Sequence, residues 1–250
     1  MTIEHPMHSD IPALQILWKE AFSDTDAFLD LFFTQAFALE RALVAKEGET
    51  VLGALYWFYC AWEGNQSAYI YAVATKKEYR GRGICRALME KLHSEMTGMG
   101  KSTILVPADD GLRAFYARMG YRDFGGMDEK VYHPGDASIN ADKLTVSQYM
   151  QKRRMLLMQG GVLQEGDFLP ILSETLSFYG GKNWILAGYR EEEMWICPEY
   201  LGDPKLLPGI LKALEIPSAC VHTAGEKPFA MCRAMAGEES LPQYFAFALD

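Results

Sequence analysis

The sequence predicts an α/β protein built in two halves. Three observations carry that expectation. Apolar residues switch along the chain between near-helical spacing and β-rich runs. The elements read this way come in a similar order twice: two helices, strands, one helix, strands. Between the two sets, His133-Pro134-Gly135-Asp136 combines chain breakers with a change of pattern, so the division is expected at 1–138 and 139–250.

The first half opens with two helices. Leu14, Leu17, Trp18 and Phe22 fall on one face of Ile11 to Phe22, and Phe28, Leu31, Phe32 and Ala36 on one face of Asp26 to Phe37, with Ser23-Asp24 as the turn. Ala42 to Lys46 and Val51 to Tyr59 then read as strands joined through Glu47-Gly48-Glu49, and Ala68 to Thr75 as a third. A helix from about Gly83 to Met96 follows, stopped by Gly98 and Gly100. Ile104 to Val106 makes a short buried strand, Leu112 to Met119 a brief helix, and Glu129 to His133 another strand. In the second half, helices are expected at Val146 to Met158, Phe168 to Tyr179 and Pro204 to Leu214. Strands are expected at Trp184 to Tyr189, Glu193 to Cys197, Ala219 to His222, Phe229 to Arg233 and Tyr244 to Leu249.

Charge and composition narrow the function. The 250 residues carry a formal net charge of -9, with acid in excess in both halves, which argues against a nucleic-acid partner. No long apolar run and no basic leader followed by an apolar stretch is present, so neither a membrane span nor a secretory signal is expected, and the location expected is cytoplasmic. Five cysteines without a C-x-x-C pair speak against a disulfide framework or a zinc knuckle. His5 and His8 fall in a tail expected to fray. His93, His133 and His222 are far apart in sequence, so no metal is expected.

Against this acidic background, Lys76, Lys77, Arg80, Arg82, Arg86 and Lys91 reverse the local sign just where a glycine-rich turn enters a helix. A helix start has unpartnered amides and the positive end of its dipole. Gly81 and Gly83 bare the backbone there, and Arg80 and Arg82 add charge-assisted donors, so the stretch is built for a small anion such as a pyrophosphate. It is not a Walker A loop, because Ile84 and Cys85 stand where Lys and Ser or Thr belong, nor a Rossmann fingerprint, because position 86 is Arg.

Arg80-Gly81-Arg82-Gly83-Ile84-Cys85 resembles the acyl-CoA loop of the GCN5-related N-acetyltransferases (GNAT), with Cys85 replacing the usual last small residue. Asp109 to Tyr121, "DDGLRAFYARMGY", resembles that family's second motif through Phe115, Tyr116, Gly120 and Tyr121, with Asp109 and Leu112 as departures. The strand before the loop, the helix after it and the strand Ile104 to Val106 stand in the family's order, and the likeness covers roughly residues 1–135. "VATKKEYRGRG" is further similar to the N-terminal domain of enhanced-intracellular-survival-type acetyltransferases.

The resemblance implies a GNAT fold, a mixed central sheet with flanking helices, followed by a second, degenerate GNAT-like half. It implies an acetyl-CoA-dependent N-acetyltransferase working by direct transfer, without a metal. The backbone of Val73 and Thr75 would hold the pantetheine arm like an added strand, and Arg80, Gly81, Arg82, Gly83, Ile84 and Cys85 would hold the pyrophosphate. Tyr116 would protonate the leaving thiolate, although on pattern alone it reads as a core tyrosine beside Leu112, Phe115 and Met119. No acid stands on the strand before the loop, which leaves the base open among water relayed by Tyr69 or Tyr71, Glu63, Glu129 and His133; the narrower likeness adds the carboxylate of Asp250. The acceptor expected is a small amine, and the rival reading is a silent CoA-binding module of the same fold. In the second half, Tyr200-Leu201-Gly202-Asp203-Pro204-Lys205 enters its helix without paired glycines or arginines, so no anion site is expected there.

Overall fold

The computed structural model describes every residue except Ala236, Glu238, Glu239, Ala248, Leu249 and Asp250. In chain order its elements are β1 (Thr2–Glu4), α1 (Ile11–Phe22), α2 (Asp26–Leu31), β2 (Ala42–Glu47), β3 (Thr50–Trp62), β4 (Asn65–Thr75), α3 (Ile84–Gly98), β5 (Ser102–Leu105), α4 (Asp110–Ala117) and β6 (Arg122–Tyr132). There follow β7 (Asp142–Leu144), α5 (Val146–Leu156), β8 (Leu163–Gln164), α6 (Leu169–Thr175), β9 (Ser177–Gly180), β10 (Ile185–Glu191), β11 (Met194–Leu201), α7 (Leu207–Ala213) and β12 (Ala219–Arg233).

These elements pack into two compact units that interleave in sequence. The first comprises Met1–Leu105, Gln164–Ile171 and Cys232–Ser240; the second comprises Val106–Leu163, Leu172–Met231 and Leu241–Asp250.

In the first unit the strands lie in the order β1-β2-β3-β4-β5, antiparallel except for the parallel pair β4–β5. Helix α1 buries Leu14, Leu17 and Trp18, and α3 buries Ile84, Leu88, Leu92 and Met96, four residues apart, with Met89 beside them. A Cβ at Gly53 of β3 would lie 2.9 Å from the Ala74 carbonyl oxygen and 3.0 Å from Ile84 Cγ2, so only glycine lets the first turn of α3 sit this close to the sheet. That contact fixes the helix start against β3 and β4.

In the second unit β11 and β12 run parallel, and β10, β9 and β7 continue from β11 by antiparallel pairing, while β6 pairs with β12. Trp184, Leu186, Leu207, Ile210, Leu211 and Val221 belong to one apolar core cluster of this unit. Arg153 and Glu199, both wholly buried, bond at 2.8 Å, and the Tyr149 hydroxyl donates to the same carboxylate at 2.7 Å.

Several expectations need correction. The N-terminal stretch is not frayed: Thr2, Ile3 and Glu4 pair with Lys46, Ala45 and Val44, and His5 Nδ1 lies 2.9 Å from the Ala42 carbonyl oxygen. The second helix stops as α-helix at Leu31 and continues as a π-helical turn over Phe32–Ala36. The helix expected from Phe168 to Tyr179 ends at Thr175, because Ser177–Gly180 is taken up as β9 between β10 and β7. The strands expected at Ala219 and Phe229 are one strand, β12, whose polar middle is largely exposed. Of the strand expected at Tyr244 to Leu249, Tyr244 makes a single bridge to Gly161, and the positive φ of 55° at Phe247 breaks the extended run; Ala248 and Leu249 lie outside the described residues.

Candidate active site

The first unit contains the glycine turn. From β4 the chain passes through a 3-10 turn at Lys77–Tyr79 into Arg80 to Gly83, and α3 begins at Ile84. Gly81 and Gly83 have φ of 77° and 78°, a left-handed conformation that costs any L-residue with a Cβ about 1–2 kcal/mol. A Cβ added at either would meet nothing within 4 Å, so backbone conformation, not crowding, demands glycine there, and the turn faces open space.

Gly83 is the N-cap of α3 and, having no side chain, offers no side-chain cap to the helix start. The first amides of a 15-residue helix therefore point outward beside a positive dipole end. Arg80 Nε donates to the Thr75 carbonyl at 3.2 Å, folding the turn back on its strand, and the Arg82 guanidinium lies 5.0 Å from the Tyr79 ring centroid. Both arginines are exposed. Burial pushes the Cys85 thiol up to about 11, against the smaller opposing effect of Arg86, so Cys85 is a neutral thiol near pH 7 and not a nucleophile.

Strand β4 is irregular just before the turn. Its pairing with β3 jumps from Ala54–Ala74 to Tyr56–Tyr71, so Ala72 and Val73 face a single residue, Leu55, and Ala72 takes a φ of 50°. On its other edge β4 pairs with β5 only through Ser67, Ala68 and Tyr69 among the described residues. The stretch from 72 to 75 thus presents backbone to an extended ligand, and the Thr75 hydroxyl is a buried polar atom without a hydrogen-bond partner. An orphaned hydroxyl on such an edge fits the polar arm of a bound acyl-CoA.

Val73, Thr75 and Arg80 through Cys85 are consecutive parts of this one feature. Tyr116 belongs to α4 in the second unit, where it is 6% exposed and packs edge-on to Tyr121 with ring centroids 5.8 Å apart. The Asp109 carboxylate caps that helix by accepting from the Leu112 amide at 2.7 Å, the task an Asn at this place would also perform. Asp250 lies outside the described residues. Glu63 sits in the β3–β4 hairpin turn, at the opposite end of the strands from Thr75 and roughly 30–40 Å away at strand rise, so it is not the base. Glu129 and His133 lie on or next to β6 of the second unit.

Sequence reasoning missed Gly53 and the β4 irregularity. Gly53 had a signal, an isolated glycine within an apolar strand; Ala72 had none, since alanine does not advertise a positive φ. At the start of the helical segment after β11, the Asp203 carboxylate accepts from the Lys205 amide at 3.0 Å, so an acidic cap fills the place an anion would take.

The acetyltransferase (GNAT) domain family matches residues 2–123, a span that includes β4, the glycine turn, α3 and α4. Residues 2–123 are a GNAT acetyltransferase domain. This domain, in the first half of the chain, supports an acyltransferase. No curated protein matches the chain. Among solved structures, a GCN5-related N-acetyltransferase from Anabaena variabilis aligns with a TM-score of 0.73 at 16% identity, covering 92% of this chain and 72% of its own. Eis1 from Mycobacterium abscessus aligns with a TM-score of 0.66 at 10% identity over 94% of this chain and 74% of its own. A GCN5-related N-acetyltransferase from Sphaerobacter thermophilus aligns with a TM-score of 0.57 at 11% identity over 97% and 98% of the two chains. At such identities the likeness concerns the fold, and it extends the GNAT architecture into the second half. No helix among the described residues is long and apolar enough to cross a membrane.

Proposed function

We propose that this GNAT protein transfers an acetyl group from acetyl-CoA directly to a small amine. The observation that carries the proposal is the open, left-handed Gly81–Gly83 turn at a helix start whose N-cap is a glycine, next to a strand whose Thr75 hydroxyl is buried without a partner. Amides at the turn and the Arg80 and Arg82 guanidiniums neutralise the pyrophosphate, while the backbone of Val73 and Thr75 aligns the pantetheine arm so that the thioester is held in one orientation.

In the reaction a neutral amine attacks the thioester carbonyl. The C–N bond forms, the C–S bond breaks, the nitrogen gives up one proton to solvent, and the sulfur leaves as a thiolate that takes a proton, the donor being reprotonated from solvent. Tyr116 is the proton donor in this proposal: its phenol hydroxyl can pass a proton to the departing sulfur. A covalent acyl-cysteine at Cys85 finds no support, since that thiol stays protonated. The acidity of the chain and the tyrosines of β4, Tyr69 and Tyr71, favour a small amine as acceptor over an extended basic peptide. The second half, lacking a cradle of its own, acts as a non-catalytic partner.

Thiol release from acetyl-CoA, followed across a panel of small amines and basic peptides, tests this reading. Turnover with one or more small amines is the expected result. Saturable CoA binding without thiol release across the panel would instead identify a silent CoA-binding module, the rival reading that the absence of an acid on β4 and the presence of Cys85 permit.

A further inference from the structure

Three metal-capable side chains that the sequence scatters over ninety positions meet on the second unit. Cys220 and His222 stand two apart on β12 and so project from the same face of the strand. Glu129 comes from β6, which pairs with β12. The Sγ, imidazole nitrogen and carboxylate oxygen that these residues offer all lie within 4.8 Å of one another, and His222 Nε2 is 3.9 Å from Glu129 Oε1.

We propose that Glu129, Cys220 and His222 bind a zinc-class divalent ion that clips β6 to β12. A tetrahedral ion with bonds of about 2.0–2.3 Å needs donor atoms roughly 3.5 Å apart, so the observed spacing requires only small side-chain movements. The donor set decides the class of metal. A thiolate and an imidazole select a borderline-soft ion and disfavour calcium and magnesium, which take oxygen ligands. Cys220 and His222 are half-buried and held on paired strands, while the Glu129 side chain is 52% exposed, so three protein ligands face a solvent-accessible fourth position for water.

The scaffold under the cluster is stiff. A Cβ at Gly126 would collide with the Gly225 carbonyl, which means β6 and β12 approach backbone to backbone near the cluster, and the Asp128 carboxylate accepts from the Glu226 amide at 3.1 Å. Binding forms bonds to the thiolate, imidazole and carboxylate and releases the Cys220 thiol proton to solvent; no electron is transferred. The cluster shares no residue with the glycine turn, so this inference stands apart from the acyl-transfer proposal.

The test uses the full, untagged chain, stripped with a chelator and dialysed against Zn²⁺ or Co²⁺. Wild type is expected to retain a single equivalent of zinc and, with Co²⁺, to show a near-ultraviolet thiolate-to-metal absorption band. Cys220→Ser and His222→Ala should lose the bound equivalent, and Glu129→Gln should weaken it. Zinc should raise the thermal midpoint of wild type and leave that of Cys220→Ser unchanged. Substoichiometric zinc on wild type, a Co²⁺ spectrum without the thiolate band, or undiminished zinc on Cys220→Ser would overturn the proposal. If a substitution on β12 impairs folding, the Co²⁺ band of wild type and the zinc affinity of the exposed Glu129→Gln variant decide.

Discussion

Replacing Gly83 with alanine probes the cradle with the smallest perturbation available, one methyl group. In the free protein that methyl has open space, with nothing within 4 Å, so the cost is conformational: a φ of 78° strains an alanine by about 1–2 kcal/mol. If the turn keeps its shape, free and bound protein bear that strain equally and it cancels from the affinity. Any loss of CoA affinity then measures the methyl's intrusion on the phosphates. If the turn relaxes when free, binding must restore it, and the same 1–2 kcal/mol appears as a loss of about five- to thirtyfold. Either way the loss belongs to a ligand that occupies the turn.

Isothermal titration with CoA and with pantetheine separates this from a general disturbance, since pantetheine has the arm and lacks the pyrophosphate. The expected result is CoA weakened by at least about fivefold, pantetheine unchanged, and a thermal midpoint lowered by a few degrees. Equal weakening of both ligands, or no weakening of CoA, would refute the placement of the pyrophosphate on these amides.

Tyr116→Phe should fold, bind CoA as wild type does, and lose roughly 10²–10⁴-fold in turnover measured by thiol release; a rate near wild type would remove the acid role. Glu199→Ala leaves the Arg153 guanidinium buried and unpaired and should cost about 3–5 kcal/mol in urea unfolding, whereas an exposed control such as Glu193→Ala, at a site 97% exposed, should change stability little. Burial, reinforced by the Arg233 charge, lowers the His93 pKa from 6.5 to about 4, so the unfolded chain binds the extra proton in that window. Stability should therefore fall as pH drops from about 6.5 toward 4, and His93→Phe should flatten that part of the stability–pH curve.

The sequence disclosed what depends on short-range order. Apolar spacing placed α1 and α3 within a residue or two, and Gly81 and Gly83 marked the cradle because a left-handed turn before a helix restricts the residue types that can stand there. Features set by distant partners were not legible. Ser177–Gly180 continues a helical pattern and becomes a strand only because β7 and β10 flank it. The irregularity at Ala72 is a mismatch of register between β3 and β4, a property of the pair rather than of either sequence. Glu129 meets Cys220 and His222 for the same reason. Cys-x-His within a strand was the only local sign of that cluster, and its third member depends on which strand lies alongside.

In a crystal structure with CoA, the pyrophosphate is expected against the backbone amides between Arg82 and Cys85, with the pantetheine arm running along residues 72–75 and bonded to the backbone of Val73 and Thr75. Phosphates bound elsewhere on the chain, or an arm that leaves the β4 edge empty, would contradict that placement.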